Sequence, residues 1–482
     1  MSGTLEGLEP RAVWEIFEEI SRIPRCSKRE QELGRWIKDW AEENGVSFKQ
    51  DEVGNILLAR EAAEGHEGTQ TLVLQCHQDM VCEKTEGSPH DFAKDPIPLR
   101  VDGDLLRAEG TSLGADNGVG MAIAMAVMVE PRLLVHGRLE AVLTVDEETG
   151  LTGAVKMQLG FFTGKRMINL DSEELGVIII SSAGGGGTNY SYPEPPTAAE
   201  GWGGLRLNVG GLLGGHSGVD IHLPRMSANK LLGEGLKVVL EEMPIRIAHI
   251  EGGTRGNAIA RSAHCVFLVP PGRAVEAQVT LKGWGEGLDR FVEKEATVRV
   301  SEVDVGRAFS EDVSRRVVGL INDVPQGPYS WSDEFPDLVQ TSNNLGVLRT
   351  EGDVIRILLS TRSSDKGGLD ENQGKLKELG RRYGAETQQR AGGTGWKADP
   401  ESPFLALVTR CYEEVLGRRP EVTGIHGGLE CGVLSRFDPD LMIVSIGPDI
   451  SYPHSPQELV RIGSVGPLWE TVKRVVEELV NE

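Results

Sequence analysis

The sequence predicts an α/β fold: a mostly parallel central sheet flanked by helices, interrupted by an inserted α+β segment. Three observations carry this reading. Short, continuous apolar runs ending in polar turns read as strands buried on both faces, as in parallel sheets. Segments of helical period alternate with them. Two glycine stretches, AGGGGT (Ala183 to Thr188) and AGGTG (Ala391 to Gly395), bracket a long segment that has its own strand–helix alternation.

Each element follows in order. Val13, Trp14, Phe17 and Ile20 share one helical face, and a second helix is expected over Arg29 to Glu43. Strands are expected at Asn55 to Arg60, Thr71 to Cys76, Arg138 to Val145, Met167 to Leu170 and Gly176 to Ser182. Between them, Val119 to Val129 is apolar on every side and reads as a buried helix. The inserted segment offers strands at LRLNVGG (Leu205 to Gly211), HCVFLVP (His264 to Pro270) and VIRILLS (Val354 to Ser360). It also offers helices near Lys230 to Glu242 and Val275 to Val292. Beyond it come a helix at Pro403 to Leu416, a strand at Leu441 to Ile446 and a final helix from Pro456. Ser455, Pro456 and Glu458 are placed to serve as N-cap, first-turn proline and capping box of that last helix. The expected division is a discontinuous domain over 1–186 and 397–482, with an insertion over 187–396 and the glycine stretches as hinges.

Composition limits the function. Fifty Lys and Arg against 73 Asp and Glu leave a formal net charge of −23. That balance argues against a nucleic acid or an anionic membrane surface as main partner, since both need a basic footprint. The longest apolar run, Met121 to Val129, is too short to span a bilayer. The first residues lack the basic-then-apolar pattern of a secretory signal. Cys26, Cys76, Cys82, Cys265, Cys411 and Cys431 are scattered, with no CxxC pair, and read as reduced thiols. The expectation is a cytoplasmic enzyme.

Chemistry gathers at the ends of elements. LVLQC runs into His77, Gln78 and Asp79; LTV into Asp146, Glu147 and Glu148; MINL into Asp171. Ligands of open α/β sheets bind beyond the carboxyl ends of the strands, so three strands deliver imidazole or carboxylate groups to one edge. Asp116, in GADNG, opens the Met-rich helix, and His454 lies in SYPHSPQE. Singly, each has an ordinary reading as a solvated turn or a satisfied histidine. Together, so many carboxylates would repel one another severely unless a cation lay among them. Imidazole with carboxylate suits zinc, with manganese or cobalt as alternatives. Five candidate ligands exceed the need of one tetrahedral ion, and two ions sharing a carboxylate fit better.

At this point LQCHQDMV, GADNG, VDEETG, INLDSEE, GGHSG and YPHSPQE together resemble the dinuclear zinc exopeptidases of the carboxypeptidase and aminoacylase clan. HDFAKDPI (His90 to Ile97), GTSLGADNGVGMA and HGGLECG are similar to the Xaa-His dipeptidase branch. The resemblance runs in order along essentially the whole chain. It implies a zinc-exopeptidase catalytic domain, an inserted lid and dimerisation domain, and two Zn2+ per subunit, with Mn2+ or Co2+ as alternatives. His77, Asp116, Glu148, Asp171 and His454 would be the metal ligands, with Asp116 bridging. Asp79 would orient His77, and Glu147 would be the general base on the attacking water. His216 of GGHSG would stabilise the tetrahedral intermediate, from either its own or a partner subunit. His216 and Asn257 of RGNAIA would contact substrate, and His426 and Glu430 of HGGLECG would either line the substrate pocket or be structural. The implied activity is hydrolysis of dipeptides, Xaa-His dipeptides among them, by a homodimer. The same metal set would also serve an aminoacylase, a deacetylase or a tripeptidase.

Overall fold

The computed structural model describes residues 3–290, 296–393 and 395–481. The chain divides into two compact units. The first comprises Met1–Ser181, Ala398–Gly424 and Leu429–Glu482; the second comprises Ser182–Lys397 and Ile425–Gly428.

The first unit is built on an eight-stranded mixed sheet. Its order is Ser47–Gln50, Ile56–Arg60, Leu139–Thr144, Leu72–His77, Arg166–Asn169, Met442–Ser445, Val177–Ser182 and Glu421–Ile425. Leu72–His77 pairs in parallel with both of its neighbours, and Met442–Ser445 pairs in parallel with Arg166–Asn169. The strands nearer the Ser47–Gln50 edge run antiparallel. The central strands are buried at every residue, as the continuous apolar runs predict. Helix Ala115–Val129 packs against Leu72–His77 and Leu139–Thr144 and is buried almost throughout. Its close seat depends on Gly120, where a Cβ would come within 2.3 Å of the Leu170 carbonyl oxygen. Helices Pro403–Leu416 and Ile462–Glu478 pack on each other.

A smaller antiparallel sheet lies in the same unit. Its order is Ile450–Ser451, Leu459–Arg461, Leu105–Ala108 and Leu99–Asp102. This sheet corrects the expected C-terminal helix, which begins at Ile462 and not at Pro456. Residues 452–458 are instead the loop of a hairpin between Ile450–Ser451 and Leu459–Arg461. Ser455 Oγ donates to the Tyr452 carbonyl at 2.7 Å, and the Glu458 carboxylate caps another segment altogether. The Ser-Pro-x-Glu pattern that suggests a helix start is a turn pattern here, because two strands pair before the helix can begin.

The cysteines depart from expectation at one pair. Cys26 and Cys82 form a disulfide with Cα atoms 5.7 Å apart, whereas Cys76, Cys265, Cys411 and Cys431 are free and buried. The two partners are 56 residues apart, and only the fold brings them together. No described helix is long and apolar enough to cross a membrane.

The second unit is an antiparallel sheet covered by helices. Its main order is Thr297–Glu302, Gly203–Gly210, Ala263–Val269, Arg246–Gly252, Val339–Glu351, Val354–Ser363, Gly184–Pro193 and Glu386–Ala391. Helix Ala228–Glu242 packs against the sheet and against helices Ala274–Glu286 and Glu311–Asp323. Leu207, Leu232, Leu236, Phe267, Phe309 and Val317 are among the apolar residues that fill the core. The helix expected over Val275 to Val292 ends at Glu286 and passes into a short 3-10 turn; residues 291 and 292 lie outside the described residues.

The first glycine stretch, expected as a hinge, is part of a strand in this fold. Gly184 to Gly187 form the start of a central strand, laddered to Ser360–Ser363 on one side, with Gly186 and Gly187 laddered to Arg390 and Ala391 on the other. Their small size has a packing cause: a Cβ at Gly392 would meet the Gly185 carbonyl at 1.8 Å. Residue 186, placed before the insertion by the sequence reading, therefore lies inside a strand of the second unit.

Candidate metal centre

The site is assembled in the first unit from strand ends, one helix entrance and one hairpin loop. His77 ends the strand Leu72–His77 and is buried. Its Nε2 lies 3.0 Å from Asp116 Oδ1 and 3.3 Å from Asp171 Oδ1. On the other side of Asp116, His454 Nε2 lies 3.0 Å from Asp116 Oδ2 and 3.0 Å from Glu148 Oε2. Asp116 thus belongs to two sets at once. One is His77, Asp116 and Asp171; the other is Asp116, Glu148 and His454; within each set, ligand atoms lie within 4.8 Å of one another. A third grouping of His77, Glu147 and Glu148 meets the same condition.

Local structure explains how neighbours come to share one site. Strand alternation would send Glu147 and Glu148 to opposite faces. The strand ends at Thr144, and Asp146 takes a positive φ of 51°, turning the chain out of extended geometry. Asp79 then fixes the turn: its carboxylate accepts the Glu147 N–H at 3.0 Å and the Glu148 N–H at 3.3 Å. Its Oδ1 also lies 3.5 Å from His77 Nδ1. His77 Nδ1 also lies 3.1 Å from the Asp79 carbonyl oxygen, so Asp79 contacts the imidazole through backbone and side chain while its carboxylate holds the two glutamates.

Three groups that the sequence reading did not place at the site complete the frame. Glu458 accepts the N–H groups of Leu113, Gly114 and Asp116 at 2.7, 2.8 and 3.2 Å, holding the helix entrance that carries Asp116. Arg25, fully buried, donates to the carbonyls of Gln78, Asp79 and Gly114. Asn117 donates to Asp171 Oδ1 and to the Leu170 carbonyl, each at 2.6 Å. His454 sits at a positive φ of 58°, a conformation that the hairpin loop enforces.

The electrostatics follow from crowding. Burial pushes the Glu147 carboxyl well above its ordinary range, and Asp171, Glu148 and Glu430 add to the rise against the opposing pull of His77. Burial likewise lifts Asp171 to about 6. Burial disfavours charge on Asp79, yet hydrogen bonds from His77 and the backbone outweigh it and bring the group down to about 2. His454 is raised to about 11 by its hydrogen bonds to Asp116 and Glu148. Glu148 Oε1 is buried with no hydrogen-bond partner among the described residues. Such an atom, in a pocket of carboxylates and imidazoles, fits a divalent cation, which would offset the repulsion among them.

The remaining residues expected at the site fall in two places. Glu430 is in the first unit, buried, with Oε2 accepting from Gln75 Nε2 at 2.5 Å and Thr144 Oγ1 at 2.6 Å. It ties the strands under His77 together, and burial raises its carboxyl to about 8. His216, Asn257 and His426 belong to the second unit. His216 lies in a two-residue strand paired with Ala258–Ile259, next to the exposed Asn257. Its Nδ1 accepts the N–H groups of Gly218 and Val219, and its Nε2 lies 3.4 Å from Arg362. His426 is buried, bonded to Ser342 Oγ at 2.7 Å, and burial together with Arg362 lowers its pKa to about 3. Arg362 is a charged neighbour of both histidines that the motifs did not signal.

Comparisons with known proteins agree with this frame. The model of peptidase family M20/M25/M40 matches residues 73–478. The chain is 37% identical to the cytosol non-specific dipeptidase of Escherichia coli over 98% of this chain and 99% of that one. The solved aminoacylhistidine dipeptidase of Vibrio alginolyticus superposes with a TM-score of 0.87 at 35% identity, covering 98% of both chains. Aminopeptidase PepT of Bacillus cereus shares the fold at a TM-score of 0.58 and 17% identity, covering 98% of this chain and 99% of that one. By the extent of these matches, the chain belongs to peptidase family M20/M25/M40.

Proposed function

We propose that this protein is a metal-dependent dipeptidase that hydrolyses dipeptides, Xaa-His dipeptides among them, at a dinuclear zinc centre. One observation carries the reading: a single carboxylate, Asp116, faces two ligand sets whose other members are His77 with Asp171 and Glu148 with His454. The full-length likeness to a cytosol non-specific dipeptidase and to an aminoacylhistidine dipeptidase supports the substrate class. The name of the Escherichia coli relative supports a cytosolic location. Homodimerisation, and the use of the second unit as lid and dimerisation domain, belong to the same reading.

His77, Asp171, Glu148 and His454 would hold the cations, with Asp116 between them. When bound, two divalent cations polarise the scissile carbonyl and lower the pKa of the attacking water. Glu147 takes the proton of that water and passes it to the leaving amine; its burial gives it the raised proton affinity this exchange needs. Asp79 keeps the His77 imidazole in one orientation and the Glu147–Glu148 backbone in register. Glu458 and Arg25 hold the loops that carry Asp116 and Asp79. His216, positively supported by its neighbour Arg362, is assigned the developing oxyanion, and Asn257 a substrate contact. His426 is assigned to the same pocket through its neighbours Arg362 and His216.

The test is hydrolysis of a panel of Xaa-His dipeptides, other dipeptides, tripeptides and N-acyl amino acids, before and after chelation, with zinc, manganese and cobalt restored separately. Dipeptide turnover lost on chelation and regained with metal is expected. Preference for N-acyl amino acids or tripeptides would replace the dipeptidase reading with the aminoacylase, deacetylase or tripeptidase one.

A further inference from the structure

The sheet of the second unit holds a second kind of ligand cluster, on strands that carry none of the residues of the dinuclear centre. His249 and Glu251 lie on strand Arg246–Gly252, and His264 lies on the paired strand Ala263–Val269. Strand alternation from the buried Ile247 would turn His249 and Glu251 into the core. The register shifts between Ile247 and His249, with Ala248 as the extra residue. That bulge reverses the facing, so Ile250 is buried while His249 and Glu251 point away from the core. Glu251 then stands directly opposite His264. The two imidazoles stack with centroids 5.5 Å apart, and His249 Nε2 lies 3.6 Å from Glu251 Oε2. One ligand atom from each of the three residues falls within 4.8 Å of the other two.

We propose that His249, Glu251 and His264 form a separate zinc site in the second unit, linking its two strands. Two imidazoles and a carboxylate are the donor set of three-ligand zinc centres, with the fourth position left to water. Room for that fourth ligand exists, because Glu251 and His264 line a cavity of about 1060 Å³, to whose wall His216 also contributes. Arg261 and Arg299 line the same cavity, while two further flanking cations have partners of their own. Arg206 donates to Asn208 Oδ1 at 3.1 Å, and Arg349 lies 3.8 Å from Glu351.

The site is independent of the dinuclear centre and is tested apart from it. The full chain is equilibrated with buffered free zinc at about 1 µM, desalted, and its metal content measured. Wild type is expected to hold about one zinc per chain more than H249A/H264A, and E251Q is expected to fall between them. Asp116→Asn, aimed at the other centre, is expected to keep this equivalent, so failure at one site is told from failure at the other. In the Asp116→Asn background, zinc is expected to raise Tm, and adding H249A/H264A is expected to abolish that rise. Equal zinc content in wild type and H249A/H264A would overturn the proposal, as would an unchanged zinc-induced rise in Tm.

Discussion

At the scale of single residues, the proposed mechanism gives Glu147 and Asp79, near neighbours in the site, different tasks. Glu147 has the raised proton affinity of a base, while Asp79 is held ionised by the hydrogen bonds it accepts. Glu147→Gln is therefore expected to keep its metal content and to lose about 10²–10⁴-fold in kcat. Near-normal turnover in that variant would assign the base elsewhere. Glu458 carries a different prediction. Its carboxylate accepts backbone N–H groups of the segment that bears Asp116. Glu458→Gln is expected to weaken metal affinity about 10–100-fold, with kcat recovering at saturating metal. A kcat that stays low under saturation would give Glu458 a direct part in turnover. His426 sets a pH response. Its folded-state pKa is about 3, below the ordinary value near 6.5. As pH falls below about 6.5, the unfolded chain binds the proton first, so stability declines down to about pH 3. Urea midpoints measured at pH 7 and pH 5 are expected to differ more in wild type than in His426→Asn.

At the scale of elements, the hairpin of residues 450–461 matters most. Its loop supplies His454 to Asp116 from one side and Glu458 to the Asp116 backbone from the other. The sequence shows both residues, yet assigns them to a helix start, because the Ser-Pro-x-Glu pattern satisfies helix and turn alike. The glycine run at 184–187 is a similar case. Glycine marks either freedom or close approach, and only the pairing with Ser360–Ser363 decides for close approach. Gly186→Pro is expected to break this central ladder and lower stability by about 3 kcal/mol or more, seen as a lower Tm. A variant of unchanged Tm and altered kcat would restore the hinge reading. What was legible shares one trait: His77, Asp116, Glu147, Glu148 and Asp171 sit at element ends that local patterning marks. What was not legible acts across distance. Glu458 reaches Leu113 over 345 residues and Arg25 reaches Gly114 over 89, and no local pattern encodes such contacts.

At the scale of the whole molecule, the disulfide and the division into units set how the protein tolerates its surroundings. Cys26 follows Arg25, whose guanidinium holds the Gln78 and Asp79 carbonyls, and Cys82 lies three residues past Asp79. The bond therefore ties together two segments that already brace the His77 loop. Closing a loop of this length removes chain entropy equivalent to about 4 kcal/mol from the unfolded state. Reduction, or C26S/C82S, is expected to lower the urea midpoint and to speed metal loss to a chelator. Equal chelation rates in the oxidised and reduced proteins would confine the bond to global stability. The bond escaped the sequence reading because cysteine spacing carries no signal over 56 residues.

The short return of Ile425–Gly428 to the second unit has a practical outcome for anyone dissecting the chain. A fragment cut at the two obvious crossings, 182 and 397, would lack these four residues, and Ser342 would lose His426 as its partner. Such an excised piece would carry an open notch in its fabric, mendable by a synthetic peptide spanning the missing stretch.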